Sequence, residues 1–213
     1  MNNFTFAVLI SGNGSNLQAM IDAVEKKKIL GQVCCVLSNK KNAYGLIRAK
    51  GAEIPTEVIE NDDYSNRQEF EEKMIKVLSK YRPNLIVLAG FMRILSPIFV
   101  KQYLGRILNI HPSLLPNYPG LDTHRRVLKS GDKYHGVTIH FVDETLDGGP
   151  ICAQSSIEIK TNSPKELENE IHKIEYELYP KVINWFGEGR LSLSKNQVFF
   201  DNKKLQIGIK NEN

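Results

Sequence analysis

Residues 4–10 (FTFAVLI) form a nearly unbroken apolar run, the pattern of a strand buried on both faces of a parallel sheet. After a glycine-rich turn, Leu17, Met20, Ile21 and Val24 recur at helical spacing, predicting a helix over residues 15–28. Residues 33–37 read as a second strand, residues 44–50 as a short helix stopped at Gly51, and residues 54–58 as a short extended piece. Phe70, Met74, Val77 and Leu78 share one face of a helix over Arg67–Tyr81, which Pro83 stops. Residues 85–89 and 107–110 are further apolar strands. Residues 135–142 and 151–159 predict a hairpin across Asp147-Gly148-Gly149-Pro150, and Pro164 opens a long helix through Trp185. Beyond Gly189, LSLSKNQVFF and KKLQIGI predict a terminal antiparallel hairpin, with residues 210–213 frayed.

This β-α-β-α rhythm predicts an α/β fold: an open, mostly parallel twisted sheet with helices on both faces, followed by the C-terminal antiparallel hairpin. No internal repeat or linker-like stretch interrupts it, so residues 1–213 are expected to form one domain. In such sheets ligands sit beyond the carboxyl ends of the strands. That rule selects the loops after Ile10, Ala89 and Ile110.

Composition narrows the class. The chain has 213 residues, 41% hydrophobic and 24% charged, and a net charge of +4, which is ordinary for a globular protein. No apolar run approaches the ~20 residues needed to cross a bilayer, and Met1-Asn2-Asn3-Phe4 lacks the basic start of a secretory signal. A free-standing protein rather than a fragment is expected. Cys34, Cys35 and Cys152 are an odd number without a CxxC pair, so reduced thiols and a cytoplasmic location are expected. On a regular strand Cys34 and Cys35 face opposite sides and serve packing. Lys26-Lys27-Lys28 falls where the first helix ends, which suits the helix dipole. Acidic residues are interleaved with the basic ones throughout, so neither a nucleic-acid nor a membrane partner is expected.

Ser11-Gly12-Asn13-Gly14-Ser15-Asn16 lies between an apolar strand and a helix. Glycines permit close approach to an anion, and a helix N-terminus offers unpaired N–H groups with partial positive charge. A dinucleotide fingerprint needs glycine where Leu17 stands, and a nucleotide P-loop needs a lysine that is missing. A small phosphate fits what remains; a plain turn with Ser15 as helix cap is the alternative.

Asn109 and His111 are two residues apart at a strand end, so both side chains point the same way. An amide and an imidazole aimed at one spot can hold a carbonyl oxygen that becomes negative. Pro112, Pro116 and Pro119 stiffen the loop that follows. A strand-end histidine bonded to backbone and an asparagine turn are the structural alternatives. Asp147, beside two glycines, serves at least as a turn; near His111, its carboxylate would orient the imidazole and favour its charged form. His135 and His140 differ by five and face opposite sides of their strand, the other histidines lie in separate segments, and no metal site is expected.

Four stretches, in order, resemble the phosphoribosylglycinamide formyltransferase family: VLISGNGSNL at 8–17, VLAGFMRILS at 87–96, LNIHPSLLP at 108–116 and LDGGP at 146–150. The resemblance runs from about Phe6 to Leu191 and implies a Rossmann-like formyltransferase fold. It also implies formyl transfer from 10-formyltetrahydrofolate, as co-substrate, to the amine of glycinamide ribonucleotide. The family's catalytic residues fall on Asn109, His111 and Asp147, its phosphate loop on Gly14, Ser15 and Asn16, and its ribose-binding acid on Glu175. Folate contacts fall on Arg67, on Met92, Arg93, Ile94 and Leu95, on Asn109, and on Asp143, Glu144, Thr145, Leu146 and Asp147. Asp122 stands where relatives often carry histidine.

The implied chemistry is direct attack of a neutral amine on the formyl carbon. Asn109 and protonated His111 hold the oxyanion, while Asp147 orients His111 and aids proton transfer through water. Ser113 lacks the setting of a nucleophile and Cys152 is expected inside a strand, so no covalent intermediate is required. A monomer or weak homodimer is expected. A formyltetrahydrofolate hydrolase, a methionyl-tRNA formyltransferase and a non-catalytic phosphosugar-binding module stay open as alternatives. The phosphate loop disfavours the first; the length of the chain and the missing basic face disfavour the second.

Overall fold

The structure, a computed structural model, describes residues 4–205 and 208–211. The first half alternates as expected: β1 (Thr5–Ile10), α1 (Ser15–Glu25), β2 (Gln32–Ser38), α2 (Tyr44–Gly51) and β3 (Thr56–Val58). A 3-10 turn at Asn61–Asp63 leads into α3 (Arg67–Tyr81), β4 (Leu85–Leu88), α4 (Pro97–Gln102) and β5 (Ile107–His111). The second half holds α5 (Thr123–Ser130), β6 (Tyr134–Phe141), β7 (Ile151–Glu158) and α6 (Pro164–Gly187). Four short strands close the chain: β8 (Leu191–Ser194), β9 (Gln197–Phe200), β10 (Lys203–Lys204) and β11 (Ile209–Asn211).

Eight strands form one sheet in the order β11-β7-β6-β5-β4-β1-β2-β3. The β5–β6 and β6–β7 pairings are antiparallel and the others parallel. Alternate residues of β1 feed two separate cores. Phe6, Val8 and Ile10 pack with α1, α2 and α6 on one face. Ala7 and Leu9 pack with Phe70, Met74, Phe99 and Val100 of α3 and α4 on the other. Polar side chains set several helix starts: Asn66 accepts from the Glu69 N–H at 3.0 Å to begin α3, and Ser163 accepts from Glu166 N–H at 3.3 Å to begin α6.

Several details depart from the sequence expectations. Helix α1 stops at Glu25 rather than Lys28, because Lys27 turns left-handed (φ 55°) and the N–H groups of Lys28 and Ile29 fold back onto the Ala23 carbonyl. Cys34 and Cys35 do not face opposite sides. The β1–β2 register passes from Phe6↔Val33 to Ala7↔Cys35, so Cys34 is a bulge, and both cysteines pack toward the α3–α4 core. Helices α4 and α5 had no periodic signal: α4 has 6 residues, and α5 buries only Thr123 and Val127.

The tail is more than a hairpin. β8, β9 and β10 make a three-stranded antiparallel sheet, while β11 crosses back to pair in parallel with Ala153–Ser155 of β7. Lys210 and Asn211 are thus paired rather than frayed; the remaining residues of that expected frayed end, 212 and 213, and also 206 and 207, lie outside the described residues, as do 1–3. Among the described residues no helix is long and apolar enough to cross a membrane.

Candidate active site at the carboxyl edge of the sheet

Leu9, Leu88 and Asn109 are register partners across β1, β4 and β5, so the loops after these strands leave the sheet along one edge. Ser11 laces the first two together. Its N–H donates to the Gly90 carbonyl at 3.1 Å, its hydroxyl donates to Asn39 Oδ1 at 2.6 Å, and it accepts from Met92 N–H at 2.8 Å. From beneath, the fully buried Tyr179 of α6 directs its hydroxyl at the carbonyls of Leu88 (3.0 Å) and Leu108 (2.9 Å).

Ile107 belongs to the α3–α4 core and Leu108 and Ile110 to the other, so Asn109 and His111 project from the same face as Ile107. Antiparallel β6 brings His140 opposite Asn109. His111 Nε2 lies 2.8 Å from the Tyr118 carbonyl, which only accepts, so this nitrogen carries a hydrogen. Its Nδ1 faces Asp147 Oδ2 at 3.4 Å. The same Asp147 oxygen accepts from Gly120 N–H at 2.8 Å, and Asp147 Oδ1 lies 3.5 Å from Asn109 Nδ2. Asn109 Nδ2 is also 3.1 Å from His140 Nε2. His140 Nδ1 donates to the Phe141 carbonyl at 2.9 Å, and burial lowers its pKa, so its ring is neutral and Nε2 accepts from Asn109. The three residues expected to act together are therefore brought together, although they come from a strand end and a distant loop.

Asp147 reaches this position in a left-handed conformation (φ 50°). The turn behind it is tight: a Cβ on Gly149 would lie 1.9 Å from the Phe141 carbonyl oxygen, so only glycine fits there.

The glycine loop adopts the expected strand-to-helix turn, with one correction. Gly14, left-handed at φ 73°, occupies the cap position of α1, no side chain caps the helix, and Ser15 is its first residue. Asn16 Nδ2 donates to Glu175 Oε2 at 2.8 Å, joining two of the expected substrate residues. Burial raises the Glu175 carboxyl to about 7, against the opposing Asn16 hydrogen bond.

The segments expected to contact folate surround α4. Arg67 donates to the Ile94 carbonyl and pairs with buried Glu71 at 3.1 Å, while Glu71 accepts from Ser96 N–H at 2.8 Å; residues 92–96 are thereby pinned to α3. Arg93 lies over the Phe70 ring at 5.6 Å. Met92 and Ile94 are exposed and Leu95 is buried. On the other side Asp143 accepts from Thr145 N–H at 2.8 Å, Glu144 meets Lys101 of α4 at 3.8 Å, and Leu146 is exposed. Leu121 adds another exposed apolar side chain.

Sequence reasoning missed His140, Tyr118 and Gly120 as partners of the trio. The β5–β6 register that presents His140 has no local signature, and the other two act through backbone atoms. His124 Nδ1 and His135 Nε2, expected in separate segments, are 3.0 Å apart. Among the described residues no group of three or more His, Cys, Asp or Glu side chains is arranged to hold a metal ion. Asp122 precedes α5 and its side chain makes no capping bond.

Both the fold and the residue pattern have known counterparts. The formyl transferase family profile matches residues 4–183. The chain is 48% identical to the phosphoribosylglycinamide formyltransferase of Escherichia coli strain K12 over 199 residues, covering 93% of this chain and 94% of that one. It is 48% identical to the Haemophilus influenzae enzyme of the same name over 208 residues, covering 97% and 98%. The solved phosphoribosylglycinamide formyltransferase of Coxiella burnetii superimposes with a TM-score of 0.94 at 46% identity, covering 98% of this chain and 99% of that one. The chain belongs to the formyl transferase family, among its phosphoribosylglycinamide formyltransferases.

Proposed function

We propose that this enzyme transfers the formyl group of 10-formyltetrahydrofolate to the amine of 5-phosphoribosylglycinamide, giving N-formylglycinamide ribonucleotide in purine biosynthesis. The observation that carries the reading is the fixed imidazole of His111. With Nε2 committed to the Tyr118 carbonyl, Nδ1 is the nitrogen left beside Asp147, whose other oxygen is 3.5 Å from Asn109 Nδ2. An oxyanion forming there meets Nδ1 of His111, as donor, and the Asn109 N–H not given to His140.

The ribonucleotide amine attacks the formyl carbon, the new C–N bond forms, and collapse of the tetrahedral adduct breaks the bond to folate N10. The proton leaving the amine passes to that nitrogen, with the Asp147 carboxylate holding His111 and relaying through water. No covalent formyl-enzyme takes part: burial raises the Cys152 thiol pKa, and the Ser113 hydroxyl donates to the Asn117 carbonyl at 2.6 Å.

Gly14, Ser15 and Asn16 bind the phosphate at the start of α1, and Glu175 binds ribose hydroxyls. Arg67, residues 92–95 and residues 143–147 hold the folate, with exposed Met92, Ile94 and Leu146 offering apolar surface to its flat ring. The substrates are small molecules; neither nucleic acid nor a membrane takes part, no metal is required, and the enzyme works in the cytoplasm as a monomer or weak homodimer.

The test is to supply 10-formyl folate with the ribonucleotide, with water alone, or with methionyl-tRNA, and to follow folate release. Release with the ribonucleotide alone is expected. Equal release in water supports a hydrolase, release with methionyl-tRNA supports the tRNA enzyme, and no release in any mixture leaves only a binding module.

A further inference from the structure

The glycine loop is exposed at Gly12 and Asn13, yet α1 begins there without a capping side chain. Such a segment has much conformational freedom to lose when it closes on a ligand. Its shape is held from outside, by α2. The Gly45 N–H donates to the Gly12 carbonyl at 3.1 Å, and Gly45 packs so closely that a Cβ on Gly14 would lie 2.6 Å from its Cα. One turn on, Arg48 extends its guanidinium across the loop. Nε donates to the Asn13 carbonyl at 3.0 Å, Nη2 to Asn13 Oδ1 at 3.0 Å, and Nη1 to Gln18 Oε1 of α1 at 3.3 Å. The group also rests over the Tyr44 ring, 4.9 Å from its centre.

We infer that Arg48 is a positioning residue for ribonucleotide binding: its planar fork fixes Asn13 relative to α1, so that residues 14–16 are set for the phosphate before it arrives. This rests on the assignment of that loop to the phosphate above. All three guanidinium nitrogens are used on the loop or on α1, and Arg48 is the side chain that ties both acceptor atoms of Asn13 to the helix. A lysine keeps the charge but has no fork to engage both Asn13 oxygens and Gln18 together. Shape and charge are therefore separable by one substitution.

The experiment compares wild type with Arg48→Lys and Arg48→Met, measuring KM for each substrate, kcat, and the Kd of ribose 5-phosphate by calorimetry. Loss of hydrogen bonds from a charged donor predicts a rise of about tenfold or more in both the ribonucleotide KM and the ribose 5-phosphate Kd. Arg48→Lys is expected to show most of that rise, with the loss confined to these two constants and the folate KM unmoved. A lysine variant with wild-type KM and Kd overturns the inference, because charge alone then suffices. So does a parallel change in folate KM and kcat, which marks general loosening. Wild-type protein that binds ribose 5-phosphate but formylates no ribonucleotide overturns the proposed reaction instead. The Arg48 comparison still stands or falls on the calorimetric arm, which needs no turnover.

Discussion

Asn109 has two amide hydrogens and two claims on them. Neutral His140 takes one at 3.1 Å, while Asp147 Oδ1 holds the other loosely at 3.5 Å. On the proposed mechanism a formyl oxygen would displace only the weaker contact, with the amide already aimed by the stronger one. Removing one such donor costs ~3–4 kcal/mol, so Asn109→Ala and His111→Ala should each lower kcat by about 100–1000-fold with smaller changes in KM. Steady-state kinetics of the purified variants check this. Glu175 gives a pH signature of opposite character. Its folded-state pKa, about 7, lies above the ordinary carboxylate value of 4.5, so the folded protein binds the proton more tightly than the unfolded chain. Stability from this group is present at low pH and declines as pH rises from about 4.5 through 7, by up to about 3 kcal/mol. Denaturant titrations across that window should show Glu175→Gln gaining on wild type as pH rises. A constant difference would contradict the assignment.

At the scale of elements, α6 does more than cover the sheet. Tyr179 ties the helix to Leu88, the last paired residue of β4, and to Leu108 of β5, one residue before Asn109. Tyr179→Phe keeps the packing and loses the hydroxyl, so a cost of about 1–2 kcal/mol in thermal or denaturant unfolding is expected, together with a fall in kcat as Asn109 loosens. Strands and long helices were legible because their apolar periods are long: β1, α3, β4 and α6 fall within a few residues of expectation. Elements whose burial depends on distant partners were not. In α5, THRRVLKS is polar or charged at six of its eight positions, and only the packed fold reveals which side of it is inside. The bulge at Cys34 was invisible for the same reason, since register is a property of two strands.

Over the whole molecule, the candidate site residues were legible mainly through four motifs occurring in order, whereas spacing alone linked only Asn109 with His111. That Asp147 meets His111 is decided by the turn after β6 and the left-handed backbone at Asp147, which no local pattern announces. β11 covers the edge of β7, and an uncovered edge is a template for association with other chains. Truncation after Leu205 should leave kcat within about twofold and promote aggregation, read by light scattering on warming. Faster loss of activity than of solubility would argue that the tail supports the site instead.

The Tyr179 hydroxyl bonds carbonyls 71 and 91 positions back along the chain. Closing loops of that length costs chain entropy before the contact repays it. On dilution from denaturant, helical dichroism should therefore return ahead of formyl transfer, and regained turnover is the stringent sign that refolding has finished.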